Sequence, residues 1–425
     1  MNRRVLIVSP HFPPVNAPDM QRVRVALPYF VAAGWDVTVL TVADPTPTAP
    51  LEPELEATVP AAVRVVRARC CSRRWTGLLG FSNVALRSLP FLFLAGCRLL
   101  AGRRYDVIYF STTMFSVLPL GRLWQMLHGV PYVIDLQDPW VSDFYDRPGA
   151  PPPPGGWKYG IIQALARRLE GWTLPAAAGL ITVSAAYLAT LRLRYPNLHE
   201  VPGTEIPFGS PDPDLAHLRA TLDRRPALLP TGSWRLAFAG ALGPGQLAAV
   251  EVLFAALAAA RPSGGRVTVH FFGTSYDPAA RPVTLALAAK YGLQDCVHEQ
   301  PGRLRYFEAL QVTLEAEVNL LFGSTDLPFT PSKLLAVLAA GRPVLALAPE
   351  GSAMIARLTG FGQPCVTFPA TGPATGANEA VMAQLRRFTD RQSVEVISTA
   401  LANGSAQAVA DRQMAVLAAA TATAI

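Results

Sequence analysis

Short apolar runs rich in β-branched residues alternate with longer segments of helical spacing along most of the chain. Several of these runs are apolar at nearly every position, which is typical of strands covered by helices on both faces. In the first half the predicted strands are residues 5–9, 36–41, 63–69, 107–111, 132–136 and 180–183, and the predicted helices are 20–33, 84–101, 119–128, 159–172 and 185–193. This alternation predicts a parallel, doubly wound α/β sheet.

A proline-rich interruption, residues 203–233, has a composition suited to a linker. After it the predicted strands are 235–239, 267–272, 318–322, 344–347 and 365–368, and the predicted helices are 246–260, 283–290, 305–316, 332–340 and 379–388. We therefore predict two Rossmann-like domains facing across a cleft, over residues 1–205 and 234–390, joined by a linker over 206–233. We expect the alanine-rich helical segment 391–425 to complete the N-terminal domain, and the insert 148–156 to form a surface loop.

The composition narrows the classes of protein that this chain can be. Its 425 residues are enough for two hydrophobic cores, and 51% hydrophobic with 16% charged residues exclude a disordered or fibrous protein. The net charge of +7 comes almost entirely from arginine, because only Lys158, Lys290 and Lys333 are lysines. This charge has two interpretations: an arginine-rich composition, or an anionic partner such as a membrane face. No basic stripe interleaved with aromatic residues is present, so we expect no nucleic acid partner.

Metal, disulfide and targeting signals are weak in this sequence. The five cysteines are scattered without a C-x-x-C pair, and no two histidines have the helical spacing of a ligand pair. We therefore expect no metal site, no disulfide framework and no bound cofactor. The apolar run 5–9 is too short for a signal peptide, and the run 89–97 falls short of the roughly 20 residues that span a bilayer. We expect a cytoplasmic protein.

Ligands of open α/β sheets bind beyond the carboxyl ends of the strands. This rule selects the loops 10–19, 112–113 and 137–143 in the first predicted domain. In the second it selects 240–246, 273–276, 300–303, 324–333 and 349–352.

Three of the second-domain loops suit an anionic diphosphate. The glycine loop with Gly240 and Gly243 follows a strand and opens a helix, so its amides can approach phosphate, although glycine also serves any tight turn. Ser332 and Lys333 open another predicted helix, where the helix dipole and an ammonium group would attract an anion. The alternative there is a capped helix with an exposed lysine. Arg303 is the third cationic candidate.

In the first predicted domain, polar residues follow two of the strands. Asp135, Gln137 and Asp138 close one strand, and we expect Asp138 to project into the cleft while Asp135 caps loop amides. Asp19 is predicted to be the N-cap of the first long helix. Arg22, one turn further, is either a site residue or part of a solvated helix face.

These features together resemble the bacterial glycosyltransferase family 4, enzymes of the GT-B architecture with two Rossmann-like halves. The resemblance is carried by residues 5–14 (VLIVSPHFPP), 34–41 (GWDVTVLT), 105–109 (YDVIY), 131–140 (PYVIDLQDPW), 181–184 (ITVS) and 331–345 (PSKLLAVLAAGRPVL). It extends in the expected order over most of the chain.

The resemblance implies a metal-independent, retaining transfer of a sugar from a nucleotide-diphosphate sugar to a lipid-linked or polysaccharide acceptor, in cell-envelope or exopolysaccharide synthesis. Helix N-termini and basic side chains would stabilise the departing diphosphate. It implies acceptor-side roles for Asn16, Arg22, Gln137 and Asp138. The residues implied to bind the donor are Gly240, Gly243, Ser275, Tyr276, Arg303, Ser332 and Lys333.

The chain departs from the family pattern at several of these positions. The two carboxylates of the family's Glu-x7-Glu motif fall on Pro328 and Ala336, the first loop lacks glycine over 15–19, and Gln137 stands where relatives often have His or Arg. Either the chain is a divergent enzyme that uses Ser332, Lys333 and Arg303 differently, or it is a decayed protein that only binds a sugar or nucleotide. A nucleotide-sugar epimerase of the same fold is a further alternative.

A basic apolar segment, residues 86–104, has two interpretations. It combines large apolar residues, among them Leu89, Phe91, Phe93, Leu94, Leu99 and Leu100, with Arg87, Arg98, Arg103 and Arg104. As an amphipathic helix it could lie on the anionic inner face of the cell membrane, near a lipid-linked acceptor. The alternative is a buried helix between two strands.

Overall fold

The computed structural model describes residues 3–76, 83–141, 157–232, 234–260, 267–275, 277, 280–327, 329–370, 376–390 and 398–422. Tyr276, Pro328 and the predicted insert 148–156 therefore lie outside the described residues. The chain divides into two compact units, one of residues 1–209 with 406–425 and the other of residues 210–405.

The first unit is built on a seven-stranded parallel sheet with the strand order β3-β2-β1-β4-β5-β6-β7. Its strands are β1 (Arg4–Val8), β2 (Asp36–Val42), β3 (Arg64–Ala68), β4 (Val107–Ser111), β5 (Tyr132–Leu136), β6 (Gly179–Thr182) and β7 (Gly203–Glu205). Its helices are α1 (Pro18–Ala32), α2 (Arg73–Thr76), α3 (Val84–Gly102), α4 (Pro119–His128), α5 (Trp157–Thr173), α6 (Ala185–Arg194) and α15 (Ala406–Ala422).

Helices cover both faces of this sheet, which explains why its strands are apolar at successive positions. Side chains of a strand alternate between faces. Val5 and Ile7 therefore pack in the core formed with α1 and α15, and Leu6 and Val8 pack in the core formed with α3 and α4. The C-terminal helix α15 thus belongs to the first unit.

The second unit has a six-stranded parallel sheet with the order β10-β9-β8-β11-β12-β13. Its strands are β8 (Trp234–Ala239), β9 (Val267–Phe272), β10 (Val297–Gln300), β11 (Val318–Phe322), β12 (Val344–Pro349) and β13 (Cys365–Phe368). Its helices are α7 (Asp212–Thr221), α8 (Leu247–Ala259), α9 (Val283–Lys290), α10 (Tyr306–Glu315), α11 (Leu334–Ala339), α12 (Ala353–Gly360), α13 (Ala377–Thr389) and α14 (Ser398–Asn403). The two parallel sheets confirm the predicted α/β fold class.

Two elements of the second unit differ from the sequence prediction. The segment predicted as a linker contains α7, because proline is tolerated in the first turn of a helix and Leu215 and Leu218 supply a buried face. The edge strand β10 alternates buried and exposed positions, so it lacks the continuous apolar run that identified the other strands.

Helix α3 is a core helix, although its length and composition alone would allow it to cross a membrane. It extends further than the apolar run 89–97 indicated. Leu92 and Leu99 are buried in the first unit's core. Its Gly96 packs so closely on α4 that an added Cβ atom would lie 2.1 Å from the Trp124 ring. The prediction of a helix between two strands is therefore correct for its inner face.

Candidate active site

The carboxyl edge of the second sheet brings three of the predicted loops together. Backbone hydrogen bonds tie the loop after β8 to the loop after β9, and that loop to the one after β10. They run from Gly240 N–H to Phe272 O (2.7 Å), Leu242 N–H to Thr274 O (2.9 Å), Gly273 N–H to Gln300 O (2.9 Å) and Ser275 N–H to Pro301 O (3.1 Å). The loops therefore form one supported backbone surface.

Lys333 lies against Gly240 at this edge. Its ammonium donates a hydrogen bond to Ala239 O and lies 3.8 Å from the centroid of the Phe238 ring. Gly240 has a φ of 137°, and an added Cβ atom would lie 2.0 Å from Lys333 Nζ. Burial lowers the pKa of the Lys333 ammonium to about 7. Glycine at position 240 thus leaves room for the Lys333 ammonium. Burial destabilises the charged form of this group.

The structure corrects the predicted start of the helix that carries Ser332 and Lys333. Residues 331–333 form a turn in which Leu334 N–H donates to Pro331 O (3.2 Å), and α11 begins only at Leu334. Ser332 is exposed in this turn. Helix α11 has six residues, so the Lys333 ammonium, rather than a long helix dipole, is the main positive feature here.

Arg303 adds a second cation beside the glycines. A Cβ atom added at Gly273 would lie 3.8 Å from Arg303 Cα and 3.9 Å from Gly240 Cα, so the three residues meet at one point. The Arg303 side chain is exposed. The structure thus brings Gly240, Arg303 and Lys333 together at one edge. Two cations beside the backbone of glycine residues can bind an anion such as a diphosphate.

Gly243 and Ser275 lie in the same loops but use part of their polar groups internally. Gly243 N–H donates to Gln246 Oε1 (2.9 Å), and Gln246 Nε2 donates to Phe322 O (3.0 Å). Ser275 Oγ accepts a hydrogen bond from the amide of Asp277 (3.0 Å). These contacts fix the loop conformations. Gly243 therefore has a structural role in the turn. Its amide is occupied by Gln246 and is not available to a ligand in this arrangement.

Arg22 lies in a buried ion pair at the carboxyl edge of the first sheet. Its Nε donates to Asp135 Oδ2 (2.6 Å), and the two side chains are 2% and 0% exposed. Its other nitrogens donate to Ile206 O (2.7 Å) and Pro207 O (3.0 Å). Arg22 therefore joins α1, β5 and the segment after β7. It lies neither on a solvated helix face nor free for a ligand.

Asp135 accepts further hydrogen bonds at the same oxygen. Tyr109 Oη donates at 2.7 Å and Ser111 Oγ at 3.0 Å, whereas Asp135 Oδ1 has no partner among the described residues. Burial, together with the Asp135 charge, raises the pKa of the Tyr109 phenol well above its ordinary value. Asp135 thus organises buried side chains instead of capping loop amides.

Asp19 forms a dyad with His11 in place of the predicted N-cap. Its Oδ1 lies 2.9 Å from His11 Nδ1, and its Oδ2 accepts from Thr112 Oγ1 (2.7 Å). Helix α1 instead starts with Ala17 as N-cap and no side-chain cap. In the tautomer that donates from Nδ1 to the Asp19 carboxylate, His11 Nε2 is a hydrogen-bond acceptor. Sequence reasoning missed His11, although it shares the first loop with Asp19.

Gln137 and Asn16 support this dyad from buried positions. Gln137 Nε2 donates to Asp19 O (2.8 Å) and to Ser111 Oγ (3.1 Å). Asn16 Nδ2 donates to Glu52 Oε1 (2.7 Å), and its Oδ1 accepts from Gln21 Nε2 (3.0 Å). Both predicted site residues are therefore held in buried hydrogen bonds rather than facing an open site.

Asp138 is the predicted acceptor-side residue that does lie at an opening. It is exposed, and it lines a cavity of about 130 Å³ with Trp140, Glu170, Tyr187 and Arg194. Partial burial and the nearby Asp19 charge raise the pKa of the Asp138 carboxyl. The cavity combines carboxylate, phenol and aromatic groups, which suit a sugar.

Glu170 and Arg194 close the inner end of this cavity. Glu170 Oε2 accepts from Arg194 Nη1 (2.9 Å) and Tyr195 Oη (2.9 Å), and burial raises the pKa of this carboxyl. Neither residue was predicted, because they lie on helices α5 and α6 and not in the loops that follow strands. Within the described residues no group of three or more His, Cys, Asp or Glu could hold a metal ion.

Known proteins are similar to this chain in sequence over part of its length and in fold. Residues 21–202 match the sequence model of the glycosyl transferase 4-like domain. No protein of curated function gives a significant sequence match to the chain.

Several solved structures are similar to this chain over nearly its whole length. HepE from Anabaena, solved with UDP, is 16% identical, with a TM-score of 0.53 over 98% of this chain and 100% of that one. A glycosyltransferase from Rickettsia africae is 12% identical, with a TM-score of 0.54 over 98% of each chain. A UDP-forming trehalose-phosphate synthase from Burkholderia xenovorans is 11% identical, with a TM-score of 0.56 over 98% of this chain and 100% of that one. Residues 21–202 are thus similar to that family model, and the chain has the GT-B fold of these solved structures.

Proposed function

We propose that the protein is a retaining glycosyltransferase that moves a sugar from a UDP-sugar to a lipid-linked or polysaccharide acceptor. The observation that carries this proposal is the meeting of Gly240, Arg303 and Lys333 at the carboxyl edge of the second sheet. The similar fold of HepE, which was solved with UDP and with UDP-glucose, supports uridine as the nucleotide. A role in cell-envelope or exopolysaccharide synthesis, at the inner face of the cell membrane, belongs to the same proposal.

The donor-binding edge would act on the leaving group. In the transfer, the acceptor oxygen bonds to the anomeric carbon on the face that the diphosphate leaves, and the bond from that carbon to the diphosphate oxygen breaks. Negative charge grows on the departing UDP, which takes up the proton of the acceptor hydroxyl. The Lys333 ammonium and the Arg303 guanidinium would stabilise that charge from supported positions. The two cations would do this without a metal ion. One such contact typically contributes about 3 kcal/mol to lowering the barrier.

The acceptor would bind at the carboxyl edge of the first sheet. Asp138 and Tyr187 can hydrogen-bond sugar hydroxyl groups in the cavity, and Trp140 can contact a sugar ring. His11 Nε2 can accept a hydrogen bond from an acceptor hydroxyl, since Asp19 holds the opposite nitrogen. Arg22, Asn16 and Gln137 would act indirectly, by fixing the backbone of these loops.

One observation keeps the nucleotide-sugar epimerase as a second candidate. Epimerisation needs two groups that exchange protons with the sugar. The structure places His11 Nδ1 at 2.9 Å from Asp19, whose charge acts on Asp138. An epimerase would release an isomerised nucleotide sugar without any acceptor, whereas a transferase would release UDP only with acceptor or water.

Thermal unfolding with a panel of nucleotide sugars tests the proposed function. We expect UDP-glucose or another UDP-sugar to raise the midpoint more than the GDP-, ADP- and TDP-sugars, because a ligand at about 100 times its Kd adds about 2.7 kcal/mol of stability. Chromatography of the incubated UDP-sugar then separates transfer from epimerisation. Stabilisation without any product would indicate a binding protein, which Ala336 at the family's carboxylate position would explain. No stabilisation by any nucleotide sugar would contradict the proposal.

A further inference from the structure

We propose that the outward surface of helices α3, α4 and α5 is a docking surface for an anionic lipid bilayer. This three-helix surface consists of eight apolar and two basic residues: Leu86, Leu94, Leu123, Met126, Leu127, Ile161, Ile162, Leu165, Arg98 and Arg168. The proposal rests on the membrane location in the proposed function and concerns a surface of the first unit, which is separate from the donor-binding edge of the second.

Helix α4 lies between α3 and α5 and contacts both of them. Trp124 of α4 donates from its ring nitrogen to Phe93 O of α3 (3.3 Å). Arg122 of α4 stacks 4.6 Å from the ring of Trp172 on α5. The inward side chains of α3 and α4, such as Leu92 and Trp124, are buried in the core. The exposed side chains of α3 and α4 therefore point away from the sheet, and α5 lies beside α4.

Each helix presents exposed apolar residues at helical spacing. On α4 they are Leu123, Met126 and Leu127, at positions i, i+3 and i+4, with Met126 70% exposed. Helix α5 adds Ile161, Ile162 and Leu165. The outward stripe of α3 adds Leu86 and Leu94.

Single exposed apolar residues are ordinary, but a contiguous group marks an interaction surface. The eight exposed apolar residues lie on three adjacent helices of one unit, and we infer that they form one such surface.

The charge of the surface favours binding to an anionic bilayer. Helices α3, α4 and α5 contain a single acidic residue, Glu170, which is buried and paired with Arg194 at 2.9 Å. The described part of these helices thus exposes no carboxylate, while Arg98 and Arg168 are exposed. Apolar residues that insert among acyl chains, with arginines that attract lipid phosphates, are the features of an interfacial membrane contact.

The structure changes which residues carry the membrane contact predicted for residues 86–104. Two of the four arginines of that segment are engaged internally: Arg87 pairs with Asp44, and Arg103 pairs with Asp36. Helix α3 alone is therefore not a basic amphipathic helix, and its inner face belongs to the core. The surface arises only when α4 and α5 lie beside α3, which no single segment of the sequence shows.

Vesicle sedimentation of the full-length protein tests this surface. We expect binding to phosphatidylcholine vesicles that contain phosphatidylglycerol, weaker binding to phosphatidylcholine alone, and weaker binding at high salt, because screening removes the arginine contribution. Leu165→Asp is expected to lower the partition coefficient at least about tenfold, since an ionised side chain must then enter the interface. Leu51→Asp is the matched control: Leu51 lies outside the surface and is 56% exposed, against 57% for Leu165. It should leave binding unchanged.

Two results would overturn the proposal. One is a wild-type protein that does not sediment with phosphatidylglycerol vesicles at low salt. The other is equal binding by Leu165→Asp and Leu51→Asp. If gel filtration shows a dimer that Leu165→Asp converts to a monomer, without vesicle binding, the surface is instead a contact between copies of the chain. Thermal stabilisation by UDP-sugar, measured on each variant, keeps this outcome separate from the proposed enzymatic function.

Discussion

Replacing Lys333 with methionine is expected to weaken UDP binding at least about tenfold, a change of roughly 1.4 kcal/mol. Methionine keeps the length of the side chain and its contact with the Phe238 ring, but it removes the ammonium group. Because the ammonium lies beside Gly240 and near Arg303, its loss removes one of two cations at the site. Isothermal titration calorimetry with UDP measures the effect.

The pH dependence of UDP binding follows from the same residue. Burial holds the pKa of Lys333 near 7, so the group is partly neutral just above that pH in the free protein. A bound diphosphate favours the charged form and raises this pKa, so binding takes up a proton. Affinity should therefore fall as pH rises through the free-protein pKa of about 7. This fall should be absent in Lys333→Met.

Two matched variants separate this effect from general damage. Lys290 is an exposed lysine of the same unit, paired with Glu251, so Lys290→Met should bind UDP like the wild type. Gly240→Ala should also weaken UDP binding, because its Cβ atom would displace Lys333 Nζ. Gly243→Ala is its control, since the nearest atom to that Cβ lies 3.7 Å away and its φ of −77° suits alanine. Wild-type affinity in Lys333→Met would remove Lys333 from the site.

Replacing Arg22 with methionine is expected to destabilise the first unit by about 3–5 kcal/mol, because it leaves the Asp135 carboxylate buried without its ion partner. Arg22 also holds the segment after β7 through Ile206 O and Pro207 O. The loss should appear as a lower urea midpoint and faster hydrogen exchange in the peptides that contain β4 and β5. Asp135→Asn, added to Arg22→Met, should restore part of the stability.

Arg67 supplies the control for this prediction. It pairs with Glu56 at 3.0 Å on the surface of the same unit, where the two side chains are 39% and 50% exposed. Exposed pairs contribute roughly 0–1 kcal/mol, so Arg67→Met should change the midpoint little. Equal effects of Arg22→Met and Arg67→Met would show that the buried pair does not stabilise the edge of the sheet.

Much of the fold could be predicted from the sequence because its strands are continuous apolar runs. Strands such as Val107–Ser111 and Val318–Phe322 are buried on both faces, so their sequence pattern is unambiguous. The edge strand Val297–Gln300 could not be predicted in this way, since half of its side chains meet solvent. Helix Asp212–Thr221 was concealed by prolines, which are read as loop signals but occupy its first turn.

The sequence predicted where the candidate site lies more readily than what its individual residues do. The rule that ligands bind beyond strand ends selected the loops of Gly240, Arg303 and Lys333, which the structure does bring together. The sequence could not show that Arg22 turns inward to Asp135, because the partner lies 113 residues away in the chain. For the same reason it missed the cavity wall on α5 and α6, which follows from the packing of helices.

Hydrogen exchange of the full-length protein with and without saturating UDP tests whether the nucleotide binds at the edge built by Gly240, Arg303 and Lys333. We predict that UDP slows exchange in the peptides containing residues 240–246, 273–275, 301–305 and 331–334, and leaves those of α9 unchanged. Protection confined to other parts of the chain, under conditions where UDP binds, would contradict this account of the protein.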